Sequence, residues 1–301
     1  MSKVIIAGAG GFVGGALTQK FVENGIEVLA ISQVYNSSFP KSPFIHRIEA
    51  DISDYDKLVQ LIPNGEYDVF YNLAWRGING PEKADPLIQL GNIEMAMICA
   101  NIAKSIQCKK YLCAGTIAER AVESLKNLKK TNGGMIYGTA KHCAHLLLET
   151  YCKNIGLNFV WMQFSNIYGP NNKTGNLVSY TLGELIQGNE ASFGPADQPY
   201  DFIYVDDLIE AVLRLGKIHT TSNTYFIGSG EPRLLKEYLI EVGRLVGRPE
   251  LIRIGKRPDD GIIYSLDMFD TTLLKQEIGE YVTKTFTDGI KETLKTYKQE
   301  E

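Results

Sequence analysis

Short apolar runs alternate with amphipathic stretches through the first half of this chain. Residues 3–7, 27–31, 44–49, 68–73, 109–114 and 158–163 are apolar runs of strand length. Between them, residues 11–24, 54–61, 85–105 and 137–155 repeat apolar positions at spacings of three and four, as a helix with one buried face does. Phe12, Val13, Ala16, Leu17 and Phe21 mark the first of these helices. The alternation predicts an α/β fold, a doubly wound parallel sheet with helices on both faces. Such sheets bind ligands outside the carboxyl ends of their strands, so the residues that close each strand carry the functional interest.

Past residue 165 the rhythm breaks. The stretch NIYGPNNKTGN is rich in Asn, Gly and Pro and predicts a loop. Helices follow near 177–187, 205–216, 233–247 and 286–298, with short strands between them. The chain thus divides into a sheet domain, residues 1–165, and a smaller α/β lobe, residues 166–301, over the carboxyl edge of the sheet. A strand from the second half is able to rejoin that sheet. The tail KETLKTYKQEE predicts a charged, solvated helix end.

Composition narrows the class. In 301 residues, 44% hydrophobic content is ample for a core. A formal net charge of −4 leaves no basic footprint for nucleic acid. No apolar run is long enough to span a bilayer, and Met-Ser-Lys passes straight into the first strand without a signal peptide. A cytoplasmic protein without membrane contact is expected. Cys99, Cys108, Cys113, Cys143 and Cys152 form no C-x-x-C pair and suit reduced, mostly core thiols. His142 and His145 give H-x-x-H without the glutamate and spacing of a zinc helix, so no metal is expected.

Candidate chemistry gathers at the strand ends. Gly8, Gly11 and Gly14 lie between the first strand and its helix, with Phe12 and Val13 opening the helix. A tight glycine turn there aims backbone N–H groups at a pyrophosphate. Ser32 closes the second strand with Gln33, offering neither an acid for a ribose 2′-hydroxyl nor an arginine for a 2′-phosphate. Asp51, followed by Ile52, either accepts from an adenine amino group or caps a helix starting near Ser53. Leu73 and Ala74 follow the fourth strand, small enough for a dinucleotide backbone to pass. Thr116 ends the strand KYLCAGT, and Tyr137 with Lys141 forms Tyr-x-x-x-Lys on the next long helix. That spacing puts phenol and ammonium on one face, where the cation favours the phenolate and makes Tyr137 a proton exchanger.

In this order, GAGGFVG, EADISD, YNLAW, CAGT, YGTAK, FSNIYGPNN, YDFIYVDDLIEAV and RPDDG resemble, nearly end to end, the extended short-chain dehydrogenase/reductase superfamily. The closest likeness is to its NAD-dependent epimerase/dehydratase family, which acts on nucleotide-activated sugars. The resemblance implies a Rossmann-type sheet and a nicotinamide cofactor, NAD by the family pattern, with NADP left open by Ser32. It implies that Thr116 hydrogen-bonds the reacting sugar oxygen, Tyr137 is the general acid/base, and Lys141 holds the nicotinamide ribose and tunes Tyr137. Asn166, Asn176, Leu177 and Arg257 are implied at the substrate. Asp206 belongs to a strand–helix junction, with an N-cap beside Asp207, in the first turn of a helix 208–216, as the plainer reading.

Departures from the family pattern sharpen this. Gln163 and Tyr200 stand where many members carry arginine, so the diphosphate grip is built differently, with Arg233 and Arg257 as candidates. Dehydratases of the family usually carry Asp-Glu directly after the threonine, whereas this chain has Thr116-Ile117-Ala118-Glu119, which disfavours dehydration. The resemblance also implies a homodimer through helices 85–105 and 137–155, with Ala96, Cys99, Ala100, Ala140 and Ala144 on the outer faces. Loops 171–176 and 194–200 would select the sugar and nucleotide. The leading function is an NAD(P)-dependent nucleotide-sugar epimerase or oxidoreductase transferring hydride at C4. A 4-keto-6-deoxy-sugar reductase is the alternative, and a non-catalytic redox sensor a third, opposed by the complete Tyr–Lys pair.

Overall fold

The computed structural model describes residues 1–123, 133–172, 174–259, 261 and 264–297. The first half runs β1 (Lys3–Ala7), α1 (Phe12–Glu23), β2 (Glu27–Ser32), β3 (Ile45–Glu49), α2 (Tyr55–Leu61), β4 (Val69–Asn72), α3 (Pro86–Ser105), β5 (Lys110–Thr116), α4 (Ala118–Glu123), α5 (Gly133–Asn154) and β6 (Phe159–Phe164). The second half runs β7 (Asn166–Tyr168), α6 (Leu177–Gln187), β8 (Ala191–Ser192), β9 (Pro199–Tyr200), β10 (Phe202–Tyr204), α7 (Val205–Lys217) and β11 (Thr224–Ile227). It closes with β12 (Arg233–Leu234), α8 (Leu235–Val246), β13 (Ile252–Arg253), α9 (Thr272–Ile278) and α10 (Phe286–Tyr297).

Seven strands form one sheet in the order β11-β6-β5-β4-β1-β2-β3, every neighbouring pair parallel. Such strands are covered on both faces, which is why they read as unbroken apolar runs rather than alternating ones. One face packs Leu17 and Phe21 of α1 and Leu208 and Val212 of α7 against Val4, Ile6 and Val160. The other packs Ala96, Cys99 and Ala100 of α3 and Ala144 and Leu148 of α5 against Ile5, Tyr111 and Trp161. The chain leaves β1 toward β2 and β3 on one side and returns to β4 on the other. Strand order therefore reverses between β1 and β4, and a crevice opens at their carboxyl ends.

The second half also forms short strand pairs, β7 with β10, β9 with β12 and β8 with β13, and Asn166, Leu177, Tyr200 and Phe202 from these segments and α6 line the crevice. β7 begins two residues after β6, and between them Ser165 donates from N to Ile227 O (2.9 Å) and from Oγ to Asp201 O (2.8 Å). Although β11 belongs to the second half of the sequence, it lies in the large sheet, beside β6.

Several local expectations are corrected. Asp54, not Asp51, caps α2, accepting from Lys57 N at 3.2 Å. α7 starts at Val205, so Asp206 and Asp207 both lie in its first turn and neither caps it. Asp207 instead accepts from Thr283 N, Thr283 Oγ1 and Lys284 N, latching the C-terminal segment to α7. Ala96, Cys99, Ala100 and Ala144 are buried against the chain's own sheet rather than facing outward, and Ala140 is buried too. The helix α4 has six residues, too few for a periodic signal to mark it in the sequence. Four cysteines are buried and Cys143 is exposed. Residues 298–301 of the tail and Asp260 of RPDDG lie outside the described residues.

Candidate active site

At the crevice lies a cleft of about 600 Å³. At one end, α1 starts at an N-cap, Gly11, that has no side chain to satisfy the first helical N–H groups. They face the cleft, as an anion site requires. Gly8 turns the chain at φ +84°, and a Cβ there would stand 2.8 Å from Ala74 N. A Cβ on Gly14 would meet Gly8 O at 2.2 Å, so the helix packs on the turn only if this residue is glycine. At Gly11 a Cβ would have only Gly8 O nearby, at 3.3 Å, so what it would fill is chiefly the cleft. Phe12, Val13, Ser32, Asp51, Ile52, Leu73 and Ala74 line this end with the three glycines. The residues present fit a dinucleotide.

Asp51 is already engaged. Its Oδ1 accepts from Ser53 N and Oγ, and its Oδ2 accepts from Arg76 at 2.5 Å. Burial raises the carboxyl, but the Ser53 and Arg76 hydrogen bonds and the Arg76 charge together hold it below its ordinary value. Arg76 was not foreseen from the sequence. It follows β4 by four residues, so the strand-end rule could have found it.

At the inner end, Thr116, Tyr137 and Lys141 meet. α5 begins at Gly133, so Tyr137 sits one turn inside it, its hydroxyl hydrogen-bonded to the Thr116 side chain. Lys141 is buried, donates to Ala114 O at 2.6 Å and lies 3.7 Å over the Trp75 ring. Trp75 also meets Tyr137 edge-on at 6.3 Å, and Lys83 lies 5.1 Å over the Tyr137 ring. Trp75 follows β4 and was findable by the same rule as Arg76, whereas nothing in the sequence pattern singled out Lys83.

The electrostatics differ from the expected phenolate. Burial pushes the Tyr137 phenol above its ordinary value, with the Thr116 hydrogen bond opposing and Glu119 reinforcing the rise. Lys141 does not reverse this, because its ammonium is spent on Ala114 O and the Trp75 face. Burial in turn pulls Lys141 down to about 8, with Cys113 and Glu119 opposing. Unfolded, this lysine titrates at its ordinary, higher value, so the desolvation cost is complete below about pH 8. It is relieved as pH rises from there toward the unfolded value. Lys141→Met is therefore expected to stabilise the fold at pH 7 by up to about 3 kcal/mol. Tm measured against pH checks this, the gain over wild type shrinking toward pH 10.

The substrate side is polar. Asn166 donates from Nδ2 to Asp201 O (3.0 Å) and accepts from the Tyr200 hydroxyl (2.8 Å). Asn176 caps α6, accepting from Ser179 N at 2.9 Å, while its Nδ2 donates to Ile167 O at 2.7 Å. Both line the cleft with Leu177 and Tyr200, and Asn172 and Thr174 from loop 171–176 join them. Arg233 and Arg257 do not line it. Arg233 pairs with Glu241 at 2.7 Å, and Arg257 donates to the Tyr180 hydroxyl at 2.7 Å. Gln163 is buried behind the cleft, accepting from Arg120 Nε at 2.8 Å.

Behind Thr116, Glu119, His142 and His145 bring ligand-type atoms within 4.8 Å of one another. Glu119 accepts from Thr116 N, Trp161 Nε1 and Gln163 Nε2. No helix among the described residues is long and apolar enough to cross a membrane.

The CDP-abequose synthase of Yersinia pseudotuberculosis is 25% identical over 217 residues, covering 70% of this chain and 72% of the relative. A UDP-glucose 4-epimerase from Thermotoga maritima, solved with UDP-glucose, superposes with a TM-score of 0.83 at 20% identity, covering 99% of each chain. A dTDP-glucose 4,6-dehydratase from Bacillus anthracis, solved with NAD, gives 0.83 at 17% identity, covering 100% of this chain and 98% of that one. The sequence profile of the NAD dependent epimerase/dehydratase family matches residues 4–228, three quarters of the chain, and the protein belongs to that family.

Proposed function

We propose that the protein is an NAD-dependent enzyme that oxidises and reduces a hexose carbon, C4, of a nucleotide-diphosphate sugar, in the manner of an epimerase. The observation that carries this reading is the meeting of Thr116, Tyr137 and Lys141 at the inner end of the same cleft that the glycine turn opens. Bound NAD supplies one chemistry, reversible acceptance of hydride from the sugar carbon. The protein does the rest. Thr116 holds the sugar oxygen, Tyr137 takes and returns its proton, and Lys141 holds the ribose beside them. Asn166, Asn176 and the α6 N-terminus face the substrate, with the helix end suited to phosphate. Arg233 and Arg257, being engaged elsewhere, have no part in this reading.

Dehydration is disfavoured by position. Ile117 is buried with Ala121, Phe226, Tyr264 and Phe269, and Glu119 faces away from the cleft. Neither can supply an acid or base to expel water. A 4-keto-sugar reductase using NADPH is the second reading, favoured by Ser32 and Gln33, which put no carboxylate at the end of β2 to repel a 2′-phosphate. Mass spectrometry of small molecules released by denaturing the purified protein separates the two. Stoichiometric NAD supports the epimerase, and an empty chain that binds NADPH from solution supports the reductase.

A second copy of the chain is the proposed partner. α3 exposes Leu87 (76%) and Leu90 (59%), and α5 exposes Ile136, Leu146 (51%) and Leu147 (50%). Adjacent helices carrying such apolar positions suit a four-helix contact. Sedimentation at twice 33.5 kDa is expected, reduced to one by Leu146→Glu with Leu147→Glu. A wild-type monomer would remove the dimer from the account.

A further inference from the structure

Glu119 is fully buried, yet it lines no part of the cleft. Its Oε1 accepts the Thr116 N–H at 2.6 Å, and its Oε2 accepts from Trp161 Nε1 (2.9 Å) and Gln163 Nε2 (3.2 Å). The His145 ring, stacked on Trp161 at 5.0 Å, brings Nδ1 to 3.5 Å from the same oxygen. Gly115 makes the approach possible, since a Cβ there would come within 2.7 Å of Glu119 Oε1 and 2.3 Å of Trp161 Nε1. A buried carboxylate with this many donors is costly to place and costly to lose. Its nearest contact is the backbone of the residue that hydrogen-bonds Tyr137.

We propose that Glu119 is the positioning residue of the acid/base pair, fixing Thr116 against Tyr137 and supplying the negative charge that balances the buried Lys141 ammonium. This rests on the reading of Thr116, Tyr137 and Lys141 as the reacting set. The role divides into reach and charge. Reach is the 2.6 Å bond that sets where the end of β5 stands. Charge acts on Lys141, which lies between Trp75 after β4, Cys113 and Ala114 of β5 and Glu119 of α4. On Tyr137 the same charge acts with Lys83 and Thr116 as the other facing groups. Arg120, His142 and His145 face Glu119 itself or its partner Gln163.

Two variants separate the parts. Glu119→Gln keeps the shape and one acceptor but removes the charge. Glu119→Asp keeps the charge and withdraws it from Thr116. Lysine labelled with ¹³C at Cε, the Lys141 signal assigned by Lys141→Arg, reports the titration without any substrate. Glu119→Gln is expected to move the Lys141 midpoint to lower pH by roughly 0.5 or more, and Glu119→Asp to leave it nearly unchanged. On a substrate from a panel of nucleotide hexoses, both are expected to lower kcat by about tenfold or more with KM little changed, as for an interaction that matters in the transition state. The alkaline limb of the profile should move to lower pH in Glu119→Gln alone. An unmoved Lys141 midpoint in folded Glu119→Gln overturns the proposal. So does a KM rise at constant kcat. Wild-type enzyme that turns over no nucleotide sugar, with the midpoint shift present, overturns instead the function on which the positioning role rests.

Discussion

Tyr137→Phe is expected to lower turnover of a nucleotide hexose by about 10²–10⁴-fold, the usual worth of a placed acid/base group, while leaving dinucleotide affinity within about twofold. The phenyl ring keeps its edge contact with Trp75 and its place under Lys83, so the cleft wall stands. Thr116 Oγ1 still accepts from the Ala118 N–H at 3.3 Å and loses only its bond to the phenol. What is lost is the one proton carrier at the reacting oxygen. The pH dependence follows in sign. A base held above its ordinary value is deprotonated only at alkaline pH, so oxidation of the sugar hydroxyl by wild type should accelerate with rising pH through the acid limb. That limb should vanish in Tyr137→Phe. Unchanged kcat in the variant would move the acid/base role to another group.

Gly14→Val is expected to weaken dinucleotide binding by about 10- to 100-fold, corresponding to the ~1–3 kcal/mol typical of forcing extra atoms into a filled space. A Cβ there falls 2.2 Å from Gly8 O and 2.8 Å from Ala9 Cα, both main-chain atoms that can retreat only by opening the turn. The displaced turn would tilt the α1 N-terminus away from the phosphates. Quenching of Trp75 emission on titration with NAD measures the loss, since that ring lines the same cleft. The contrasting variant is Gly15→Val, where a Cβ meets only Ala9 O at 3.8 Å. Its binding should stay close to wild type, and equal losses in the two would deny the turn its role.

How much of this was legible in the sequence depends on where each signal lies. Strands buried on both faces are short apolar runs, and the runs 3–7, 27–31 and 158–163 map onto β1, β2 and β6 within a residue or two at each end. The glycine turn and Tyr-x-x-x-Lys are local patterns, and Gly8, Gly14, Tyr137 and Lys141 come together in one cleft because parallel strands bring their carboxyl ends to one edge. What was misread depends on which way a side chain faces. Ala96 and Cys99 are small enough for a helix contact with a partner, but equally for close packing of α3 on its own sheet, and the latter holds. Arg233 and Arg257 were named as diphosphate candidates, but Arg233 pairs with Glu241 eight residues on, Arg257 donates to the distant Tyr180 hydroxyl, and neither lines the cleft. The raised Tyr137 phenol could not be read at all, since spacing puts Lys141 beside it but only the fold directs that ammonium to Ala114 O.

The central claim is hydride exchange between a sugar carbon and a bound dinucleotide, and isotope tracing tests it most directly. Nucleotide hexoses carrying deuterium at C4 would be incubated with the enzyme, and sugar, dinucleotide and solvent examined for the label. The account predicts that deuterium leaves C4 for the nicotinamide ring and returns to C4 of the product, with slower turnover than for the protium substrate. Deuterium exchanged into water, or turnover that leaves the C4 label untouched, would contradict it.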